Sequence, residues 1–95
     1  METNEVSLHQ VKVFQCLEAG EWLTSKEVAE RAGVAGRTAR AHLLKLVHLG
    51  IVDQAEVFPA HRYRLSEMAD KRNKAYVQRL HAAMEVFGIK RAAVS

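Results

Sequence analysis

The chain contains little of several residue types, and each scarcity excludes a class of protein. Cys16 is the only cysteine among 95 residues, so an intrachain disulfide and a cysteine-rich zinc site are excluded. No apolar run approaches the roughly 18 residues that a membrane-spanning helix needs. Residues 1–7 are acidic and polar, unlike a signal peptide. We therefore expect a cytoplasmic protein with no membrane partner.

Patterns that carry catalysis or bind a cofactor are also missing from the sequence. No glycine-rich phosphate loop follows a strand, and no nucleophile stands with a base and an orienting acid. The five histidines are dispersed and lack metal-ligand spacing. We expect neither enzymatic activity nor a cofactor nor a metal ion. We interpret Cys16 as a buried core residue, with a redox-sensing role as the alternative.

The residues that are present describe one globular domain with an uneven charge distribution. Hydrophobic residues make up 48% of the chain and charged residues 26%, which is a globular composition. Residues 1–30 hold six acidic and two basic side chains, whereas residues 31–65 hold six basic and two acidic ones. Residues 66–95 hold six basic and three acidic side chains. This asymmetry indicates a polyanionic partner.

Apolar spacing in the first quarter of the chain predicts a helix and a short extended piece. The first helix begins after Ser7, continues through Leu17 and is expected to end at Gly20. The extended piece is Glu21–Leu23, in which Trp22 is expected to pack in the core against a later hairpin.

Two further helices follow closely. Thr24 and Glu27 have the spacing of a capping box, which predicts the start of a second helix that ends at Gly33. A third helix is predicted over residues 36–49, with Gly50 as its end.

The rest of the chain predicts a β-hairpin and one long helix. The hairpin strands are predicted at Ile51–Phe58 and Arg62–Leu65, joined by a turn at Pro59–His61. Ser66 is expected to cap a long fourth helix that ends at Gly88. The predicted fold class is therefore mainly α with a small β-hairpin wing and a long C-terminal helix.

The segment Thr24–Val52 resembles the helix-turn-helix core of bacterial winged-helix regulators of the MarR, ArsR and GntR type. Ala29 matches the small residue where the two helices touch, Gly33 the turn, and Val34 the residue that packs the turn into the core. The second helix of the pair is anchored by Ala39, Leu43 and Leu46. The resemblance covers roughly residues 8–66. It implies a winged helix-turn-helix fold and a DNA-binding regulator of transcription.

The predicted recognition helix carries basic residues and no acidic one between Gly33 and Gly50. Recognition helices read bases mainly with N-terminal residues, and arginine fits the guanine edge bidentately. Many relatives have Ser or Thr at the position of Ala35, where the hydroxyl caps the helix. Alanine has no such group, so this helix lacks a side-chain cap. The candidate DNA-binding residues are Arg37, Thr38, Arg40, Ala41, Lys45, His48, Arg62 and Arg64.

We expect a division at residue 66, with residues 1–66 as the winged-helix domain and residues 67–95 as a C-terminal helix and tail. The last helix carries an apolar stripe that either packs on the first helix or forms a homodimer interface. We favour the homodimer, because operators are usually read by paired recognition helices. The stripe consists of Tyr76, Val77, Leu80, Met84 and Phe87.

The function that these features predict is a sequence-specific, double-stranded DNA-binding transcription regulator that acts as a repressor. The alternative is a winged-helix interaction or accessory module in a phage or plasmid replication, partition or conjugation assembly. The apolar wing tip at residues 58–61 motivates that alternative. The operator and any small-molecule effector stay open.

Overall fold

The computed structural model describes residues 6–57 and 59–89, and its elements follow the predicted order with one addition. Their bounds are α1 (Leu8–Gln15), β1 (Leu23–Thr24), α2 (Ser25–Ala32), α3 (Gly36–His48), β2 (Val52–Val57), β3 (Ala60–Leu65), α4 (Ala69–Arg72) and α5 (Lys74–Phe87). The three strands form one antiparallel sheet in the order β1-β3-β2. The predicted class, mainly α with a small wing, is confirmed.

One apolar core joins the helices to one face of the sheet. Phe14 of α1, Val28 of α2, Leu43 of α3, Tyr63 of β3 and Leu80 of α5 are all buried in it. Because α5 contributes to the same core as α1, the C-terminal helix packs on the body of the chain. The predicted division at residue 66 stays a prediction.

The first helix ends earlier than predicted, at Gln15 instead of Gly20. The Leu17 N–H bonds the Phe14 carbonyl in a tightened last turn. The Glu18 carbonyl then accepts from the Leu65 N–H at 3.2 Å. A bond to a strand 47 positions away therefore draws this segment out of the helix.

The hairpin is longer on its return side than predicted. Val52 pairs with Leu65 and Val57 with Ala60, so residues 60 and 61 belong to β3 and not to the turn. The predicted tip residue Phe58 lies outside the described residues. Pro59 beside it is exposed.

The predicted fourth helix is two helices. The Ser66 hydroxyl accepts from the Met68 N–H at 3.0 Å, and the four-residue α4 follows. Asn73, with φ −153° and ψ 65°, interrupts the helix, and its side chain caps α5. The predicted long C-terminal helix is confirmed as α5, but its predicted start at Ser66 was wrong, because Asn73 leaves the helical conformation and caps α5. Among the described residues, no helix has the length and apolar character to cross a membrane.

Candidate nucleic-acid interface

The start of α3 is fixed by a rigid α2 and a tight turn. The Thr24 hydroxyl accepts from the Glu27 N–H at 3.2 Å, and Glu27 Oε1 accepts from the Thr24 N–H at 2.9 Å, which confirms the capping box. Gly33 has a φ of +72°, a conformation that glycine adopts without strain. The N–H groups of Gly33 and Val34 both bond the Ala29 carbonyl. These local bonds set the angle at which α3 leaves α2.

The third helix has a fully buried face and an outward face. Ala39, Leu43 and Leu46 are completely buried, as predicted. Helical spacing places the opposite side of α3 at steps of four, three and four residues. That outward stripe consists of Arg37, Ala41, Leu44 and His48, all exposed.

Three further predicted residues lie beside the outward stripe. Arg40 lies on the flank that faces the hairpin, where it lines a cleft with residues of β3. Lys45 is exposed on the other flank, and Thr38 is half-buried. The helix therefore presents positive charge at its first turn and along both sides.

Arginines in this chain divide into paired and unpaired ones. Arg31 forms two hydrogen bonds with Glu21, at 3.1 and 3.0 Å, and this contact lowers the pKa of the Glu21 carboxyl. Arg64 and Arg72 both contact Asp53. Within residues 6–57 and 59–89, no carboxylate lies at ion-pair distance from Arg37.

Arg40 and Arg62 are likewise without a carboxylate at ion-pair distance, counting only the part of the chain that the structure describes. Unpaired guanidinium groups at the surface are the ones available for an anionic ligand, because they have no internal bond to break. The unpaired set thus includes both arginines of α3.

A cleft of about 250 Å³ separates α3 from the hairpin. Ser25 at the start of α2 and Arg40 line one side, and His61 and Tyr63 line the other. His61 is held by Gln54, whose Nε2 lies 2.9 Å from His61 Nδ1. The cleft combines a helix start, a guanidinium and an imidazole, which are groups that bind phosphate.

A second, wider cleft of about 620 Å³ lies between α2 and the first turn of α3. Arg37, Arg40 and Lys26 line it together with the carboxylate of Glu30. Lys26 is the third basic side chain that lines this cleft. Glu30 makes the cleft less positive than α3 itself.

The two hairpin arginines lie away from these clefts. Arg62 and Arg64 alternate with Tyr63, which is buried, so they point to the opposite face of the sheet. Arg64 Nε lies 3.3 Å from Asp53 Oδ2, and its guanidinium carbon lies 4.4 Å from the Trp22 ring centroid. The structure therefore does not bring Arg62 or Arg64 together with the basic side chains of α3.

Trp22 is not the core residue that the sequence suggested. It is 37% exposed and covers Arg64 on the outer face of the sheet. Because Leu23 is buried in the core, its neighbour Trp22 points to the opposite face, where its ring contacts the Arg64 guanidinium.

Asn73 fastens the far end of α3. Its Nδ2 donates to the Leu49 carbonyl at 3.2 Å, and its Oδ1 accepts from the Tyr76 N–H at 3.3 Å. Gly50 follows with a φ of +83°, beneath the aliphatic part of Arg72. One side chain thus joins the exit of α3 to the start of α5.

The residues predicted as a dimer interface are mostly used within the chain. Val77, Leu80 and Met84 are 4%, 0% and 5% exposed, because α5 packs on α1. Tyr76 is half-buried and donates from its hydroxyl to Gln10 Oε1. The intrachain alternative is therefore correct for these four residues, and only Phe87, at 42%, is exposed.

Two further titratable groups, His42 and Cys16, are partly buried. Burial lowers the pKa of His42, which lies on α3 near His9 of α1, and the charges of His9 and Lys45 lower it further. Cys16 is half-buried, and its Sγ donates to the Lys12 carbonyl at 3.2 Å. No group of three or more metal-ligating side chains occurs in the described ranges.

Sequence reasoning missed three residues of this surface. Leu44 lies on the outward stripe and was passed over because it carries no charge, although its spacing from Arg37 would have located it. Lys26 and His61 reach the clefts only through the packing of α2 and β3 beside α3. No local sequence signal indicates that packing.

Solved structures share this arrangement. The PcaV transcriptional regulator from Streptomyces coelicolor, solved with its natural ligand, superposes with a TM-score of 0.64 at 22% identity over 92% of this chain. The chain has a winged helix-turn-helix fold. The ST1889 protein from Sulfolobus tokodaii superposes with a TM-score of 0.59 at 21% identity over 87% of the chain, and 84% of that protein is covered.

The multiple antibiotic-resistance repressor MarR from Listeria monocytogenes has the same winged helix-turn-helix fold, with a TM-score of 0.57 at 18% identity over 87% of this chain. The bacterial neighbours are MarR-family transcription regulators and not enzymes. The chain spans 64% of PcaV and 61% of that MarR, less than two thirds of either length. No family model and no curated protein matches the sequence.

Proposed function

We propose that the chain is a transcription regulator that binds double-stranded DNA through the outward face of α3. The observation that carries the proposal is an α3 without acidic residues, whose two arginines have no carboxylate partner in the described chain. An α-helix, about 10–12 Å across with its side chains, fits the major groove, which is about 12 Å wide. The winged-helix fold and its regulator neighbours support the same conclusion.

The polar candidate residues of α3 take different roles in the proposal. Arg37, on the outward stripe of the first turn, reads a guanine N7/O6 edge. Thr38 and the N–H groups at the start of α3 bind a phosphate, as does Arg40 beside the hairpin cleft. Lys45 and His48 contact the DNA backbone further along.

The hairpin arginines take different roles. Arg62 has no carboxylate partner within the described residues and binds a phosphate beside the hairpin. Arg64 is held by Asp53 and Trp22, so we assign it to the support of the sheet. The accessory-module alternative depends on the wing tip, where Phe58 lies outside the described residues.

Repression and a homodimer belong to the same proposal. A regulator that occupies a promoter with two recognition helices gains affinity from both half-sites. The dimer contact does not use Val77, Leu80 or Met84, because these are buried in the chain itself. Equilibrium sedimentation with and without DNA tests the dimer. Expression of a reporter gene from a promoter that contains the bound site, measured in cells with and without the protein, tests repression.

Fluorescence anisotropy with DNA selected from a genomic or random pool tests the proposal. We expect Arg37→Ala combined with Arg40→Ala to weaken binding at least about 100-fold, since a good bidentate base contact is worth about 1–3 kcal/mol. We also expect a shallower dependence of affinity on salt, because fewer phosphate contacts release fewer counterions.

The matched control removes two positive charges elsewhere. Lys71→Ala combined with Lys74→Ala changes the net charge equally on α4 and α5, beside the last turn of α3 and roughly 18 Å along the helix axis from Arg37. We expect this control to bind within about threefold of the original chain, because distant exposed charges are screened beyond roughly 8–10 Å. Equal losses in both double variants would refute the proposed interface.

A further inference from the structure

Leu44 occupies an unusual place among the leucines of α3. Leu43 and Leu46 are fully buried in the core, whereas Leu44 is 45% exposed. A single exposed leucine is ordinary on a protein surface. This one, however, lies on the outward stripe that the proposed function places against DNA.

The outward stripe changes its chemistry along the helix. Its ends, Arg37 and His48, are polar, and its middle, Ala41 and Leu44, is apolar. Neither middle side chain has a hydrogen-bond donor or acceptor. This part of α3 therefore cannot bind a phosphate or the polar edge of a base through its side chains.

The major groove offers one apolar feature to such a surface. Thymine presents a C5-methyl group there, and apolar side chains contact it. We propose that Leu44, with Ala41 beside it, packs on a thymine methyl and is a specificity-determining residue of the DNA-binding surface. The inference rests on the proposed function, and it specifies one base of the DNA sequence that the protein recognises.

Helix geometry places this thymine relative to the base that Arg37 reads. Ala41 and Leu44 follow Arg37 by four and seven residues, or about 6 and 10 Å along the helix axis. Base pairs are about 3.4 Å apart. The expected element is therefore a guanine with a thymine about two to three base pairs away.

A protein partner fits this surface less well than DNA. Docking surfaces are contiguous apolar patches of a few hundred square ångströms, whereas Leu44 and Ala41 stand between the positive charges of Arg40 and Lys45. A ligand that carries both negative charge and a small apolar group matches the surface. Thymine-containing DNA has both.

The test begins with a sequence selected by the original chain from random duplexes. Each thymine of the selected site is then replaced singly by deoxyuridine, which removes only the methyl group. We expect one position within about three base pairs of a conserved guanine to lose about fourfold in affinity, the effect of one buried methyl.

Variants at position 44 connect that loss to the side chain. In Leu44→Ala the same deoxyuridine replacement is expected to cost less than about 1.5-fold, whereas Leu44→Met retains an apolar contact and most of the discrimination. Leu8→Ala is the matched control, because Leu8 is 39% exposed on α1. It is expected to keep the full fourfold loss.

The outcomes separate the inference from the proposed function. If the original chain binds its selected site and no thymine-to-deoxyuridine replacement matters, the methyl contact is overturned while DNA binding stands. If Leu44→Ala keeps the full methyl dependence, the role of Leu44 is overturned. If no duplex is bound at all, the proposed function itself fails, and the inference fails with it.

Discussion

The two ends of α3 are built in opposite ways. At its start, Ala35 provides no side-chain hydrogen bond, and the first turn has no acidic residue. Thr24, one helix earlier, shows what a full cap looks like in this chain. Arg37 in the first turn adds positive charge to the positive end of the helix dipole, which disfavours the free helix.

At its other end, α3 is closed by several bonds. The Ile51 N–H bonds the Leu46 carbonyl at 3.0 Å, and the Gly50 N–H bonds the Val47 carbonyl at 3.0 Å. The Leu49 carbonyl accepts from Asn73 Nδ2. This end is part of the core, because Leu46 and Ile51 are fully buried.

In the proposed function, the two ends of the helix have different tasks. Its closed end positions α3 on the body of the chain, while its open end leaves backbone N–H groups and a positive field for an anion. In the free protein the start of α3 has no side-chain cap. A phosphate bound there would supply the missing hydrogen-bond acceptor. Substitutions at each end therefore have different expected effects on stability and on DNA binding.

The largest effect is expected from Asn73→Ala at the closed end. It removes the cap of α5, worth about 0.5–2 kcal/mol, and the bond to the Leu49 carbonyl, worth about 1 kcal/mol. We expect the free energy of unfolding, measured with urea, to fall by about 2–3 kcal/mol.

Asn73→Ser divides this loss between its two parts. The serine hydroxyl caps α5 but is too short to reach Leu49. We expect it to recover roughly half of the loss, about 1 kcal/mol. Full recovery by serine would show that the Leu49 contact contributes nothing to stability.

A smaller loss is expected from Gly50→Ala. Its φ of +83° is unfavourable for a residue with a Cβ, and that Cβ would lie 3.3 Å from Arg72 Cβ. We expect a loss of about 1–2 kcal/mol. Gly36→Ala, at the open end, has no atom within 4 Å of the added Cβ, so thermal unfolding should show no loss there.

Much of this comparison is visible in the sequence because it is local. Thr24, Glu27 and Gly33 predict α2 and its turn, and the absence of a cap at Ala35 follows from its side chain. The buried face of α3 follows from the spacing of Ala39 and Leu43. Each of these features depends on residues within about one or two helical turns.

The features that the sequence did not predict depend on distant contacts. Asn73 ends α4 because its side chain also reaches Leu49, 24 positions earlier. Trp22 lies on the outer face of the sheet beside the buried Leu23, and its ring contacts Arg64 from the distant strand β3 there. The pattern on α5 fits a dimer interface and an intrachain face equally well, and only the packing of α1 on Leu80 distinguishes them.

At the open end, Ala35→Ser should supply the missing cap. Ala35 has φ −65° and ψ 149°, the extended conformation of a capping residue. We expect the free energy of unfolding to rise by about 1 kcal/mol. Ala82→Ser, within α5, offers no cap and should lower it by a few tenths of a kcal/mol. An unchanged stability in Ala35→Ser would mean that the open end is already satisfied.

The smallest effect concerns the middle of α3, where His42 faces His9 and Lys45. Burial and these two charges hold the pKa of His42 below its ordinary value of about 6.5. The folded chain therefore favours the neutral imidazole. The free energy of unfolding keeps its full value above about pH 6.5 and decreases as the pH falls through the lowered pKa of His42. We expect the urea midpoint to decrease between pH 7.5 and pH 5.5, and His42→Gln to reduce that decrease. His81→Gln, an exposed histidine on α5, serves as the comparison. If it reduces the decrease as much as His42→Gln does, the pH dependence does not arise on α3.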